Sequence, residues 1–211
     1  MRISVVIFLL ASTFETFMGV AEPPQPPQIE SPPPQSRDAG NPFVERLKPV
    51  LSSDLPQIGK AAFEGDVVTL RRLILLGANL EETGRDGRTA LILAAAGGNL
   101  ETVSALLAAG AKIDTRDITG ATALHWAAQR GDEKIALVLL SHHPQVNGQD
   151  YSRGATPLIL SAVACDSTIV RALLSAGANP GLRDETGRTA ADWAAMGKFE
   201  SIVLLLNRSR E

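Results

Sequence analysis

The chain is poor in the residues on which most protein chemistry depends. Of 211 residues, one is cysteine and three are histidine. A single thiol, Cys165, excludes an intrachain disulfide framework and a cysteine-rich zinc site. Aromatic residues make up 4% of the chain while hydrophobic residues make up 45%, so the core must come from many small aliphatic contacts rather than one aromatic centre. Positive charge is not in excess either. Lys and Arg number 20 against 23 Asp and Glu, a formal net charge of -3, which leaves no global field to attract a nucleic-acid backbone. No Gly-rich phosphate loop and no nucleophile elbow is present. The chain therefore reads as a non-enzyme without cofactor or metal, and nucleic acid is not an expected partner.

What is present falls into three stretches. Residues 1–21, "MRISVVIFLLASTFETFMGVA", carry Arg2, an apolar run from Ile3 to Ala11 and the small pair Gly19 and Ala21 around Val20. That order of charge, apolar run and small residues is that of a secretory signal peptide cut after Ala21. The alternative is an uncleaved anchor, against which Glu15 counts because a carboxylate is costly in lipid. On either reading the remainder is expected outside the cytoplasm, periplasmic or secreted, and is not itself inserted in the membrane. Residues 22–50 are a proline-rich spacer and lead-in. Its part "EPPQPPQIESPPPQSR", residues 22–37, has too little apolar surface to fold and reads as a semi-rigid tether.

From residue 51 onward the chain repeats itself. Gly87-Arg88-Thr89-Ala90-Leu91, Gly120-Ala121-Thr122-Ala123-Leu124, Gly154-Ala155-Thr156-Pro157-Leu158 and Gly187-Arg188-Thr189-Ala190-Ala191 recur with glycine spacings of 33, 34 and 33. Alanine pairs such as Ala94-Ala95 and Ala127-Ala128 keep step with them, as do Leu106-Leu107, Leu139-Leu140 and Leu173-Leu174. Thr89, Thr122, Thr156 and Thr189 can cap a first helix, with Pro157 at a position where a missing N–H costs nothing. Asp66, Asn99, Asp132 and Asp166 can cap a second one. Gly110 and Gly177 end that second helix, since glycine accepts a left-handed backbone. Gly98 and Gly131 hold a slot that Cys165 and Lys198 occupy later, which predicts a left-handed backbone at both.

The period of 33 and the T-x-L-H-x-A-A signature completed by His125 resemble the ankyrin repeat. The likeness covers about residues 54–211. It comprises a degenerate first unit at 54–83 and units near 84–116, 117–150, 151–183 and 184–211. The resemblance implies an all-α fold, a solenoid of helix-turn-helix units joined by hairpin-like turns and curved to present a concave groove. It also implies a structural role for His125. Trp126 recurs as Trp193 where other units have Leu93 and Leu160, so both are expected to be packing residues. His142, His143 and Pro144 replace a Gly-Ala turn. The two histidines, being adjacent, suit helix-end cations better than a metal site.

By the same resemblance the chain is expected to bind an unidentified protein client, and with the N-terminal signal it reads as a monomeric, exported, bacterial module. A host-directed secreted effector is the alternative, and an enzyme or metal carrier built on His142, His143 or Cys165 a weaker one. The groove would be lined by hairpin tips and first-helix surfaces. Those positions are Arg85, Asp86, Arg88, Ile118, Thr119, Ala121, Gln129, Arg130, Ser152, Arg153, Glu185, Thr186 and Arg188.

Overall fold

The computed structural model describes residues 56–208. The segments read as signal peptide (1–21) and spacer with lead-in (22–50) lie outside the described residues. Within them the chain is all-helical, as the repeat pattern requires, with ten helices and no strand among the described residues. They come in pairs: α1 (Gln57–Glu64) with α2 (Val67–Leu75), and α3 (Ala90–Gly97) with α4 (Leu100–Ala108). Next come α5 (Ala123–Arg130) with α6 (Glu133–Leu140), and α7 (Pro157–Val163) with α8 (Ser167–Ser175). The last pair is α9 (Ala190–Met196) with α10 (Glu200–Arg208).

Helices this short are marginal alone, so local caps and stacking must define them. Thr89, Thr156 and Thr189 accept from the backbone N–H of Ile92, Ile159 and Asp192, three residues on. Asp66, Asp132 and Asp166 cap α2, α6 and α8 in the same way. Thr69 donors at the start of α2 hold the Asp66 carboxyl below its ordinary value. Asn99 departs from the expected cap. Its Nδ2 donates to the carbonyls of Ala62 and Phe63, 3.1 and 2.7 Å away, and so ties α4 to the end of α1 in the preceding unit. A carboxylate can only accept, whereas a carboxamide can donate, and Asn99 uses its donor.

Each first helix is left through a left-handed residue. The slot holds Gly65, Gly98 and Gly131 at φ 76°, 78° and 68°, then Cys165 and Lys198, both at φ 59°. The predicted left-handed backbone at these two side-chain-bearing residues is thus present. A third case stands at the end of α6, where His143 at φ 53° occupies the place of Gly77, Gly110 and Gly177. In three units the next residue, Ala78, Ala111 or Ala178, donates its N–H to the Leu73, Leu106 or Leu173 carbonyl. Pro144 has no N–H to give, and the Leu139 carbonyl is met by His142 N instead.

First helices pack on first helices and second on second, in chain order. Ala94, Ala95, Ala127, Ala128 and Ala162 are fully buried, and their small side chains let consecutive first helices approach closely. Val103, Leu106, Ile135, Leu139, Ile169 and Leu173 fill the space between second helices. One continuous core runs through the stack rather than a separate core in each unit.

Candidate functional site

Before α3, α5, α7 and α9 the chain makes a tight turn, and we call its end the tip. In the last three of these turns an aspartate organises the tip. Asp117, with its side chain fully buried, accepts on Oδ1 from Thr119 N (2.9 Å), Thr119 Oγ1 (2.6 Å) and Ala121 N (3.0 Å). Its Oδ2 takes the Trp126 indole N–H at 3.2 Å and Arg88 Nε at 3.5 Å. Asp184 repeats the pattern with Thr186 N, Thr186 Oγ1, Arg188 N and the Trp193 indole at 2.6 Å. Burial works to raise the Asp184 carboxyl, but these donors outweigh it and hold the group below its ordinary value. Asp150 holds the tip between them through Ser152 N, Ser152 Oγ and Arg153 N.

The tips are also tied to each other. Ile118 N donates to the Asp86 carbonyl (3.1 Å), Tyr151 N to the Thr119 carbonyl (2.7 Å) and Glu185 N to the Arg153 carbonyl (2.8 Å). Arg116 spans two tips, donating to the Gly120 carbonyl at 2.9 Å and the Gln149 carbonyl at 2.8 Å. Gln149 does the same for the Gly154 and Arg183 carbonyls. The outcome is a row in which one slot is held in a constant backbone setting and filled by Ile118, Tyr151 and Glu185 in turn.

Two neighbours in that row are apolar and open to solvent. Ile118 and Tyr151 are each 68% exposed. Neither dangles. Ile118 lies over Gly87, where an added Cβ would stand 3.1 Å from Ile118 Cγ2. Tyr151 lies over Gly120, where one would meet the ring at 2.7 Å, with the Arg116 guanidinium 5.7 Å from the ring centre. Glycine at these places is what lets the side chains lie flat along the row.

A family model described as ankyrin repeats in three copies matches residues 58–150, and the single ankyrin-repeat model matches residues 153–185. The chain belongs to the ankyrin-repeat family. No curated protein matches it. Ankyrin repeats generally mediate protein–protein interaction, and ankyrin-repeat proteins are typically non-enzymatic interaction modules. Among the described residues no helix is long and apolar enough to cross a membrane, and no group of three or more His, Cys, Asp and Glu could hold a metal ion.

Ankyrin geometry sorts the groove positions read from the sequence. Arg85, Ile118, Gln129, Ser152, Arg153, Glu185 and Thr186 are exposed. Asp86, Arg88, Thr119, Arg130 and Arg188 are half-buried. Ala121 must be withdrawn as a surface residue. It is buried, with its N–H given to Asp117, because the tip folds back over it. Several others are spent on holding the row. Arg88 pairs with Asp86 and Asp117 and lies 4.4 Å over the Trp126 ring, and Arg188 lies 5.2 Å over the Trp193 ring. The hydroxyls of Thr119 and Thr186 are used within their own turns. Tyr151, absent from the sequence-derived set, is exposed in the same row beside Ile118.

Trp126 and Trp193 do more than pack, since each indole N–H is consumed by the aspartate nine residues earlier. The pairs Asp117/Trp126 and Asp184/Trp193 share that spacing, a signal the sequence carried in plain view. His125 is structural, as the ankyrin resemblance implied. Its Nδ1 accepts from Thr122 N (3.2 Å) and lies 2.9 Å from Thr122 Oγ1, while Nε2 reaches the Gly148 carbonyl at 3.0 Å. Burial lowers its pKa, opposed by the Gly148 bond and by Asp150 and Asp117, and aided by Arg116. Asp192 fills the equivalent slot and accepts from both Thr189 N and Thr189 Oγ1 through Oδ2, so a carboxylate replaces the imidazole at the helix start. His142 and His143 are exposed at the end of α6, with His142 Nδ1 3.0 Å from the Val138 carbonyl. Cys165 is an exposed thiol.

Proposed function

We propose that this ankyrin-repeat chain is an extracytoplasmic binding module that captures a protein client along its row of tips and the adjoining first-helix surface. The observation that carries the reading is the pair Ile118 and Tyr151, large, rigidly seated and mostly exposed on consecutive tips. Exposed side chains of that size, fixed in advance, lose little conformational freedom on binding, and aromatic and apolar anchors at the centre of a patch dominate interface energetics. Arg153, two residues beyond Tyr151, adds an exposed cation of the type that interfaces favour. The extracytoplasmic setting rests on the charge, apolar run and small residues of positions 1–21. The chain acts as a monomer in this reading, its client seated across several units.

The test uses the mature chain as bait in an extracytoplasmic fraction from its native host. Ile118→Asp and Tyr151→Ala are expected each to abolish capture with the melting temperature unchanged, and Arg130→Glu to weaken it. Capture that survives both tip variants but fails on deleting residues 22–37 would move the binding site to the spacer. Intact mass of the same material is expected to lack residues 1–21, and recovery of the full-length species in the membrane would favour the anchor.

A further inference from the structure

The two ends of the stack are unlike, and comparing units shows which side chains each turns toward its neighbour. The slot of Thr102 is filled by Ile135, Ile169 and Ile202, all fully buried, yet Thr69 in the first unit is exposed. Leu106, Leu139, Leu173 and Leu206 are likewise fully buried, and Leu73 is only partly so. Both slots stay covered in the last unit and open in the first, so they face the preceding unit. Thr102 confirms the direction, its hydroxyl lying 3.4 Å from the Ala62 carbonyl one unit earlier. The side of α2 turned away from α4 is therefore uncovered.

Next to that side α2 exposes three more apolar residues. Val68 is 81%, Leu75 87% and Leu76 74% exposed. The same positions beside α4 are Glu101, Ala108 and Ala109, charged or small as a solvated surface requires. At 100° per residue, positions 68, 69, 72, 73, 75 and 76 form one unbroken arc. The first unit thus carries an apolar stripe of Val68, Leu73, Leu75 and Leu76, with Thr69 and Arg72 among them, that the other units lack, running from its outer surface to its open side.

We propose that residues 41–52 of this same chain, "NPFVERLKPVLS", dock on this stripe and cap the stack. The segment ends four residues before Pro56, where α1 begins, so it is delivered to the first unit and to no other. Its apolar residues Phe43, Val44 and Leu47 have the spacing of one helical face, and Val50 and Leu51 follow directly after Pro49, where such a helix would end. Residues 22–37 before it have almost nothing apolar to offer. Capping units are what a repeat stack needs at its ends, because each unit otherwise leaves one apolar side in water.

The test uses the full chain with Cys165→Ser, carrying Leu47→Cys with either Leu76→Cys or Leu204→Cys. Leu204 is exposed in the last unit, at the other end of the stack. Mild oxidation is expected to link position 47 to position 76 within one molecule and not to position 204. Equal linkage to both, linkage to neither, or linkage only between molecules, as a second copy on the stripe would give, overturns the proposal. Independently, Leu47→Asp is expected to speed amide exchange in α2 roughly tenfold, with α10 unaffected. Unchanged exchange in α2 would overturn it as well.

Discussion

Cys165→Gly is expected to stabilise the protein, and the size of the effect comes from one backbone angle. Cys165 sits at φ 59°, just past α7, where the units before it place Gly65, Gly98 and Gly131. A side chain in that left-handed conformation costs about 1–2 kcal/mol. Glycine removes the cost but gives up about 0.5–1 kcal/mol through the freer unfolded backbone, leaving a net gain of about 0.5–1 kcal/mol. Lost packing does not cancel it, because Cys165 is exposed. Space is not the issue either, since a Cβ at the equivalent Gly131 would lie 3.6 Å from Asp166 Oδ2, an ordinary contact. For a domain of this size the gain corresponds to about 1–4 °C in midpoint. Lys198→Gly and His143→Gly act on the same strain, at φ 59° and 53°, in separate units. Distant sites add, so the triple variant should gain about 1.5–3 kcal/mol. Reversible urea denaturation under reducing conditions, followed by far-ultraviolet circular dichroism, measures it. The converse, Gly131→Cys, should lose about what Cys165→Gly gains. A triple variant no more stable than the parent would refute the claim that these three residues store backbone strain.

The core and the turns give three further expected outcomes. Leu106→Ala removes a fully buried side chain that α4 turns toward α2 and should cost about 2–5 kcal/mol in urea denaturation, and a loss below about 0.5 kcal/mol would break the assigned packing. Trp193→Phe keeps one aromatic ring but deletes the other together with the 2.6 Å donor to Asp184, and should cost about 1–2 kcal/mol or more by the same assay with the helix content unchanged. His125 is kept neutral by burial, its pKa below the unfolded value of 6.5, so the unfolded state binds the extra proton first. Its contribution is therefore complete above pH 6.5 and lost as pH falls through the lower folded pKa. Denaturation midpoints measured from pH 7.5 down to about pH 5 should decline in the parent and lose that part of the slope in His125→Asp, a residue that can still serve the Thr122 cap. Parallel slopes would refute the role given to His125.

What the sequence made legible, and what it hid, has a physical division. Slots that hold units together accept one kind of residue, so they recur: the left-handed exit glycines, the capping threonines, the alanines and leucines between helices. Departures from the pattern are readable where the replacement must take up the same backbone setting, and not where it does a different job from the residue it replaces. Cys165 and Lys198 were found because a side chain in a glycine slot predicts an angle, and the angle is there. Asn99 was misread because capping needs only an acceptor, and nothing in the spacing says that its amide would instead donate to the carbonyls of Ala62 and Phe63. Tyr151 escaped because its tip is one residue longer than the others. Asp150 N reaches the Ala155 carbonyl five residues on, where Asp117 N reaches Ala121 in four, so counting by repeat length puts Ser152 into the slot. Only the bond from Tyr151 N to the Thr119 carbonyl identifies the residue that stands beside Ile118. The tip slot is where packing stops constraining chemistry: one backbone setting presents an aliphatic side chain, an aromatic one and a carboxylate in succession. Because the setting is constant, any preference among clients must come from those side chains and their first-helix neighbours. For that reason substitutions there should alter binding and leave folding alone, while substitutions in the recurring slots should do the reverse.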